Sequence, residues 1–279
     1  MNRQFQLVDV FGSGAFTGNP LGVVAAAEGL NTEQMQAITR WLNLSETAFL
    51  LPPTDPGADY KVRIFTLAHE LPFAGHPTLG SCHAWLAMGG QPKRADAVVQ
   101  ECGAGLVAVR HGDTLAFAAP PLIRSGEPDE AEIAAVAQTL GIQRSAIKAA
   151  RWADNGPGWI AVMLGSAAEV LAIDAPKTAD RRIDIGVVGP HAPGGDADWE
   201  IRAIFSDGQG GLIEDPATGS LNASVGQWLF DAGYAQGRYI AAQGTKIGRQ
   251  ARIAVSRDDA GQVWVGGKTI TLVSGSIDA

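Results

Sequence analysis

The phrase Glu-x-Pro-x-x-Gly occurs twice in this chain, once in each half. Glu70-Leu71-Pro72-Phe73-Ala74-Gly75-His76 and Glu214-Asp215-Pro216-Ala217-Thr218-Gly219-Ser220 each open an apolar, helix-like stretch. Each follows a strand-like segment with a similar ending, Val62-Arg63-Ile64-Phe65 and Ile201-Arg202-Ala203-Ile204-Phe205. Each stretch closes on a glycine, Gly89 or Gly233, at the same distance from its glutamate. A long repeat with one copy per half predicts two related domains. At 279 residues the chain is long enough to give each its own core.

The pattern around the two copies predicts the same order of elements. Residues 4–11 and 20–27 read as strands, and Asn31 with Gln34 reads as the start of a helix ending near Asn43. Residues 47–51 and 59–66 follow as strands. A helix with Pro77 in its first turn comes next, apolar nearly all round and therefore expected to be buried. Strands near 96–102, 105–110 and 114–119 complete the first half. The second half begins with a helix near 129–140, placed for capping by Asp129 and Glu132. Strands near 158–164, 183–189 and 199–206, a second buried helix near 218–231 and four more strands follow. The expected fold class is α+β: two pseudo-symmetric domains, 1–120 and 121–279, each a curved sheet around a central helix. The last strand is a candidate to pack back on the first domain.

Composition excludes several classes. The formal net charge is −8 with no basic run, so nucleic acid is not an expected partner. With 46% hydrophobic and 18% charged residues the chain is an ordinary globular one. No apolar stretch reaches the ~20 residues that cross a membrane, and no charged-then-apolar leader opens the sequence. Two cysteines, Cys82 and Cys102, cannot make a disulfide framework. The expectation is a cytoplasmic protein.

The repeated phrase also has chemistry. A helix N-terminus exposes backbone N–H groups and a partial positive charge, a ready anion site. Gly75 and Gly219 allow a close approach there, with His76 and Ser220 at the tips and Asp215 nearby. Such groups converging from two domains suit a small substrate bearing a carboxylate. Ordinary helix capping is the competing explanation. Glu46, in Leu44-Ser45-Glu46-Thr47, sits at a helix-to-strand joint beside an apolar run. A carboxyl held against apolar walls is pushed toward neutrality, as a general acid/base requires. A solvated turn residue is the competing reading.

Other signals fail. Gly12, Gly14 and Gly18 have the wrong spacing for a dinucleotide loop. No P-loop or nucleophile elbow occurs. His76 and His83 stand about 10 Å apart on a helix, too far to share a metal, and none is expected. His111 and His191 are isolated.

These motifs resemble the PhzF-like family of phenazine-biosynthesis isomerases. The resemblance runs from Val8-Asp9-Val10-Phe11 and Gly18-Asn19-Pro20, through the Glu46 segment and both repeated phrases, to Gly244-x-x-Ile247-Gly248-Arg249. It implies the diaminopimelate-epimerase fold with the site in the cleft between domains, no cofactor or metal, and a homodimer. It implies a trans-2,3-dihydro-3-hydroxyanthranilate-like substrate, with Glu46 moving a proton between carbons. His76 and Asp215 are expected to orient or polarise it; Gly75, Gly219, Ser220 and Asn19 are expected on the binding side. Epimerase cousins use two opposed cysteines. With His76 and Ser220 at those tips, thiol racemisation is disfavoured. Three readings stand: a proton-shifting isomerase, an amino-acid-type epimerase or racemase using Glu46 with His76, and a non-catalytic small-molecule binder.

Overall fold

The computed structural model describes every residue except 113, 175, 176, 180 and 207–210. The chain divides into two compact units, Met1–Ala118 with Gly266–Ala279, and Ala119–Val265.

The first unit opens with β1 (Asn2–Val10), β2 (Asn19–Val24), α1 (Thr32–Leu42), β3 (Glu46–Leu51) and β4 (Tyr60–Thr66). Next come β5 (Glu70–Leu71), α2 (Gly75–Ala87), β6 (Ala97–Cys102), β7 (Gly105–Arg110) and β8 (Leu115–Ala118). Two parallel pairs, β2 with β3 and β4 with β6, each span a helix, and antiparallel pairs fill the rest. Asn31 and Gln34 form a reciprocal capping box at the start of α1. Met35 of that helix is buried against Phe49 and Phe65. Helix α2 has no polar face because strands of the sheet pack around it. At Gly80 a Cβ would collide with Leu21, so this glycine lets α2 lie close on β2.

The second unit adds α3 (Glu130–Leu140) and then repeats the order: β9 (Ala149–Trp152), β10 (Ile160–Met163), α4 (Ala167–Ala172), β11 (Asp184–Pro190) and β12 (Trp199–Ser206). It continues through β13 (Leu212–Asp215), α5 (Gly219–Asp231), β14 (Arg238–Gln243), β15 (Ala251–Arg257) and β16 (Val263–Gly267). Again two parallel pairs span a helix, β10 with β11 and β12 with β14. The closing strand β17 (Thr269–Asp278) lies antiparallel to β1 along its whole length.

The duplication is exact enough to match residues by register. Phe65 faces Glu70 across β4 and β5; Ile204 faces Glu214 across β12 and β13. Glu46 faces Thr66, and Asp184 faces Phe205. Asp184 is thus the counterpart of Glu46.

One expectation is corrected here. Glu70 and Glu214 do not open helices: they lie in short strands, and the helices start five residues later, at Gly75 and Gly219. Their partners explain the repeat. Arg63 grips Glu70 through Nε and Nη2 at 2.7 and 2.6 Å, and Arg202 grips Glu214 in the same way at 3.0 and 2.7 Å. Each pair is a diagonal neighbour across its hairpin. The strand expected over 20–27 ends at Val24, and β5, β9, β13 and α4 had no expected counterpart. Among the described residues no helix is long and apolar enough to cross a membrane.

Candidate active site

In the first unit the site is assembled from a clamped turn. Asp9, buried at the end of β1, accepts from Thr17 N at 3.0 Å and Gly18 N at 2.9 Å. A Cβ at Gly18 would strike the Asp9 carboxylate and the Val10 carbonyl, so only glycine closes this turn. The next residue, Asn19, is fully buried, and its Nδ2 lies 3.3 Å from His76 Nδ1. An amide NH2 only donates, so Nδ1 accepts and a neutral His76 carries its proton on Nε2. That nitrogen lies 3.5 Å from Glu46 Oε2. Glu46 begins β3 with its side chain 17% exposed, mostly but not fully enclosed.

Burial sets the charge of His76. It lies in the first turn of α2, and loss of hydration drives its pKa down to about 3. The Glu46 carboxylate pulls the other way. At 3.5 Å, beyond normal hydrogen-bond length, it does not outweigh desolvation, so the imidazole is neutral near pH 7. A consequence for stability follows. Between the ordinary imidazole value of about 6.5 and about 3, the unfolded chain binds a proton at this residue and the folded chain does not. Folding stability therefore falls as pH drops through that window, by up to ~1.4 kcal/mol per unit from this group. Urea titrations at several pH values are expected to show a shallower acid loss for His76→Gln than for the wild type. Equal slopes would refute the buried neutral state.

The second unit builds a matching but different turn. Asp215 closes β13, and its Oδ2 accepts the hydroxyl of Thr218. Gln243 of β14, fully buried, ties the turn down: its Nε2 donates to Asp215 O and Thr218 Oγ1, and its Oε1 accepts from Thr218 N and Asn222 Nδ2. In the first unit Gln100 does related work, receiving Tyr60 OH and donating to Thr78 Oγ1. Ser220 follows Gly219 in the first turn of α5. Its Oγ accepts from Trp159 Nε1 at 3.2 Å, and its carbonyl accepts from Asn155 Nδ2 at 3.0 Å.

The two central helices share one property. Helices α1, α3 and α4 are capped by the side chains of Asn31, Asp129 and Ser166. Among the described residues no side chain caps α2 or α5, whose N-cap residues are Ala74 and Thr218. Their leading N–H groups therefore have no cap side chain to satisfy them.

Asn19, Glu46, Gly75 and His76 thus belong to one constellation in the first unit, and Asp215, Gly219 and Ser220 to one turn in the second. Sequence reasoning missed Asp9, Thr218, Gln243, Asn155 and Trp159. The Asp154-Asn155-Gly156-Pro157-Gly158 run was the available signal for the last two, since such a run marks a tight turn. The cysteines lie off both helix tips. Cys82 is buried in α2, where desolvation raises its thiol pKa to about 12, and Cys102 is buried and also raised. Native protein treated with iodoacetamide at pH 8 is expected to keep both thiols, as read by intact mass. Rapid alkylation would contradict this burial.

A family model described as phenazine biosynthesis-like protein, PhzC-PhzF, matches residues 8–275. The chain belongs to this family. Among its relatives, antisense-enhancing sequence 1 of Schizosaccharomyces pombe is 35% identical, over 98% of each chain. Trans-2,3-dihydro-3-hydroxyanthranilate isomerase of Pseudomonas chlororaphis is 32% identical, over 99% of each. The structure of a predicted epimerase from Pseudomonas aeruginosa superposes with a TM-score of 0.79 at 26% identity, covering 99% of both chains. The fold is that of this PhzF and epimerase group, and the chain is an enzyme of the isomerase type.

Proposed function

We propose that this PhzF-like enzyme shifts a proton on a small carboxylate-bearing substrate of the dihydro-hydroxyanthranilate kind. Glu46 is the group that takes the proton from one carbon and returns it to another. The observation that carries the reading is the Asn19–His76–Glu46 chain. Asn19 fixes the tautomer, burial keeps the imidazole neutral, and the resulting Nε2–H is presented beside a partly accessible carboxylate.

A neutral imidazole donor polarises a substrate oxygen or nitrogen without adding a cation that would hold Glu46 ionised throughout the cycle. The uncapped N-termini at Gly75 and Gly219, with the Ser220 hydroxyl, supply donors for the substrate carboxylate. Asp215 takes the amino or hydroxyl side. Proton transfer of this kind needs only a positioned acid/base and an activated C–H bond. The assignment extends to a homodimer in the cytoplasm, for which light scattering is expected to give twice the 29.0 kDa chain mass.

The direct test supplies trans-2,3-dihydro-3-hydroxyanthranilate to the purified protein and follows its ultraviolet spectrum. Isomerisation moves a double bond and changes the conjugation. Turnover supports the reading. An unchanged spectrum, with close carboxylate analogues equally inert, removes this substrate class.

A further inference from the structure

The second unit contains a turn that none of the chemistry above has used. Asp154 matches Asp9 by register: Trp152 faces Ile160 across β9 and β10, as Leu7 faces Gly22 across β1 and β2, and each aspartate lies two residues beyond. Both are clamps. Asp154 Oδ1 accepts from Gly156 N at 2.7 Å and Gly158 N at 2.9 Å. In the first unit the clamped turn delivers Asn19 to the helix-tip residue His76. In the second it delivers Asn155 and Trp159 to the helix-tip residue Ser220.

The two deliveries differ in what they leave at the tip. A serine hydroxyl has one hydrogen to donate and two lone pairs. The indole N–H can only donate, so it takes a lone pair of Ser220 Oγ and turns the hydroxyl toward accepting from the protein. Among the described residues no acceptor for the Ser220 hydrogen is present. Two other hydroxyls on the central helices are spent internally: Thr78 Oγ1 donates to Ala74 O, and Ser224 Oγ to Ser220 O. Trp159 is itself fixed, 4% exposed and edge-on to Phe205 at 6.3 Å.

We propose that Trp159 is a positioning residue: by donating to one Oγ lone pair it orients the Ser220 hydroxyl and leaves its hydrogen to be donated to the substrate carboxylate, while Asn155 holds the Ser220 backbone. This rests on the reading of Ser220 as a substrate-binding residue. It gives Ser220 a stated preference, for a charged acceptor that takes its hydrogen.

Calorimetry with two probes separates the possibilities: 3-hydroxyanthranilate, which carries the carboxylate, and 2-aminophenol, which lacks it. Losing one hydrogen bond to a charged group, Ser220→Ala is expected to weaken 3-hydroxyanthranilate about tenfold. Trp159→Phe, which keeps the ring against Phe205, is expected to weaken it about three- to fivefold. The double variant should bind no more weakly than Ser220→Ala, because Trp159 acts through that hydroxyl. Binding of 2-aminophenol should be unchanged throughout.

Additive losses, equal losses for both probes, or no loss in Trp159→Phe while Ser220→Ala is impaired would overturn the proposal and leave Ser220 in place. No loss in Ser220→Ala, or no binding of the acid by the wild type, would overturn the substrate-binding reading itself. A ligand-free check guards against a misfolded Trp159 variant. In 15N-labelled protein the Trp159 indole N–H resonance should move, and exchange faster with solvent, in Ser220→Ala. An unmoved resonance also refutes the proposal.

Discussion

Glu46→Gln is expected to lower kcat by about 10²- to 10⁴-fold while changing KM only a few-fold. Gln keeps the shape and the reach of the side chain but cannot carry a proton between carbons. The neighbouring His76 is neutral, so removing the carboxylate charge strands no buried cation. With its side chain 17% exposed, Glu46 is not a packing residue, and the variant should fold like the wild type by circular dichroism. Glu46→Asp retains the carboxyl but withdraws it by one methylene, and about a 10²-fold loss is expected from misplacement alone. If Glu46→Gln kept more than a tenth of wild-type turnover, the acid/base role would belong elsewhere.

The second large effect is on stability, and it separates two glutamates that look alike in sequence. Glu214 and Arg202 are 7% and 1% exposed in their side chains. Arg202 also donates through Nη1 to the carbonyls of Val170 and Ile173, at the C-terminal end of α4. Glu214→Ala leaves this guanidinium buried without its carboxylate, and a loss of about 3–5 kcal/mol is expected in urea denaturation. Glu70 and Arg63 make the same forked contact at 36% and 23% exposure. Water can replace either partner there, so Glu70→Ala should cost no more than about 1 kcal/mol. Replacing Arg202 and Glu214 together by Met and Leu should cost less than Glu214→Ala, because no lone charge remains inside. Equal costs for Glu70→Ala and Glu214→Ala would show that burial does not govern these pairs.

Much of this fold was legible because it is written in local pattern. Apolar alternation marked the longer strands, the Asn31–Gln34 pair marked α1, and the lack of a polar face marked α2 and α5 as buried helices. Strands of two or four residues, such as β5 and β13, leave no periodicity to read. The role of Glu70 and Glu214 was hidden for a related reason. Their arginine partners lie across a hairpin, and pairing across strands is a matter of register, which sequence spacing does not reveal when the two hairpins differ in length. Glu46, His76 and Asn19 were legible as motif residues, but the Asn19 contact that sets the His76 tautomer required coordinates. Trp159 and Gln243 act from distant segments on residues that sequence had singled out, and nothing local links them.

The central claim is that Glu46 carries a proton from one substrate carbon to another. Running the reaction on trans-2,3-dihydro-3-hydroxyanthranilate in D2O and locating the label by NMR tests it most directly. The account predicts deuterium only at the ring carbon that gains hydrogen, delivered by a Glu46 carboxyl that exchanges with solvent, and no labelled product from Glu46→Gln on the same timescale. Label appearing from Glu46→Gln at the wild-type rate, or wild-type label at other positions, would contradict it.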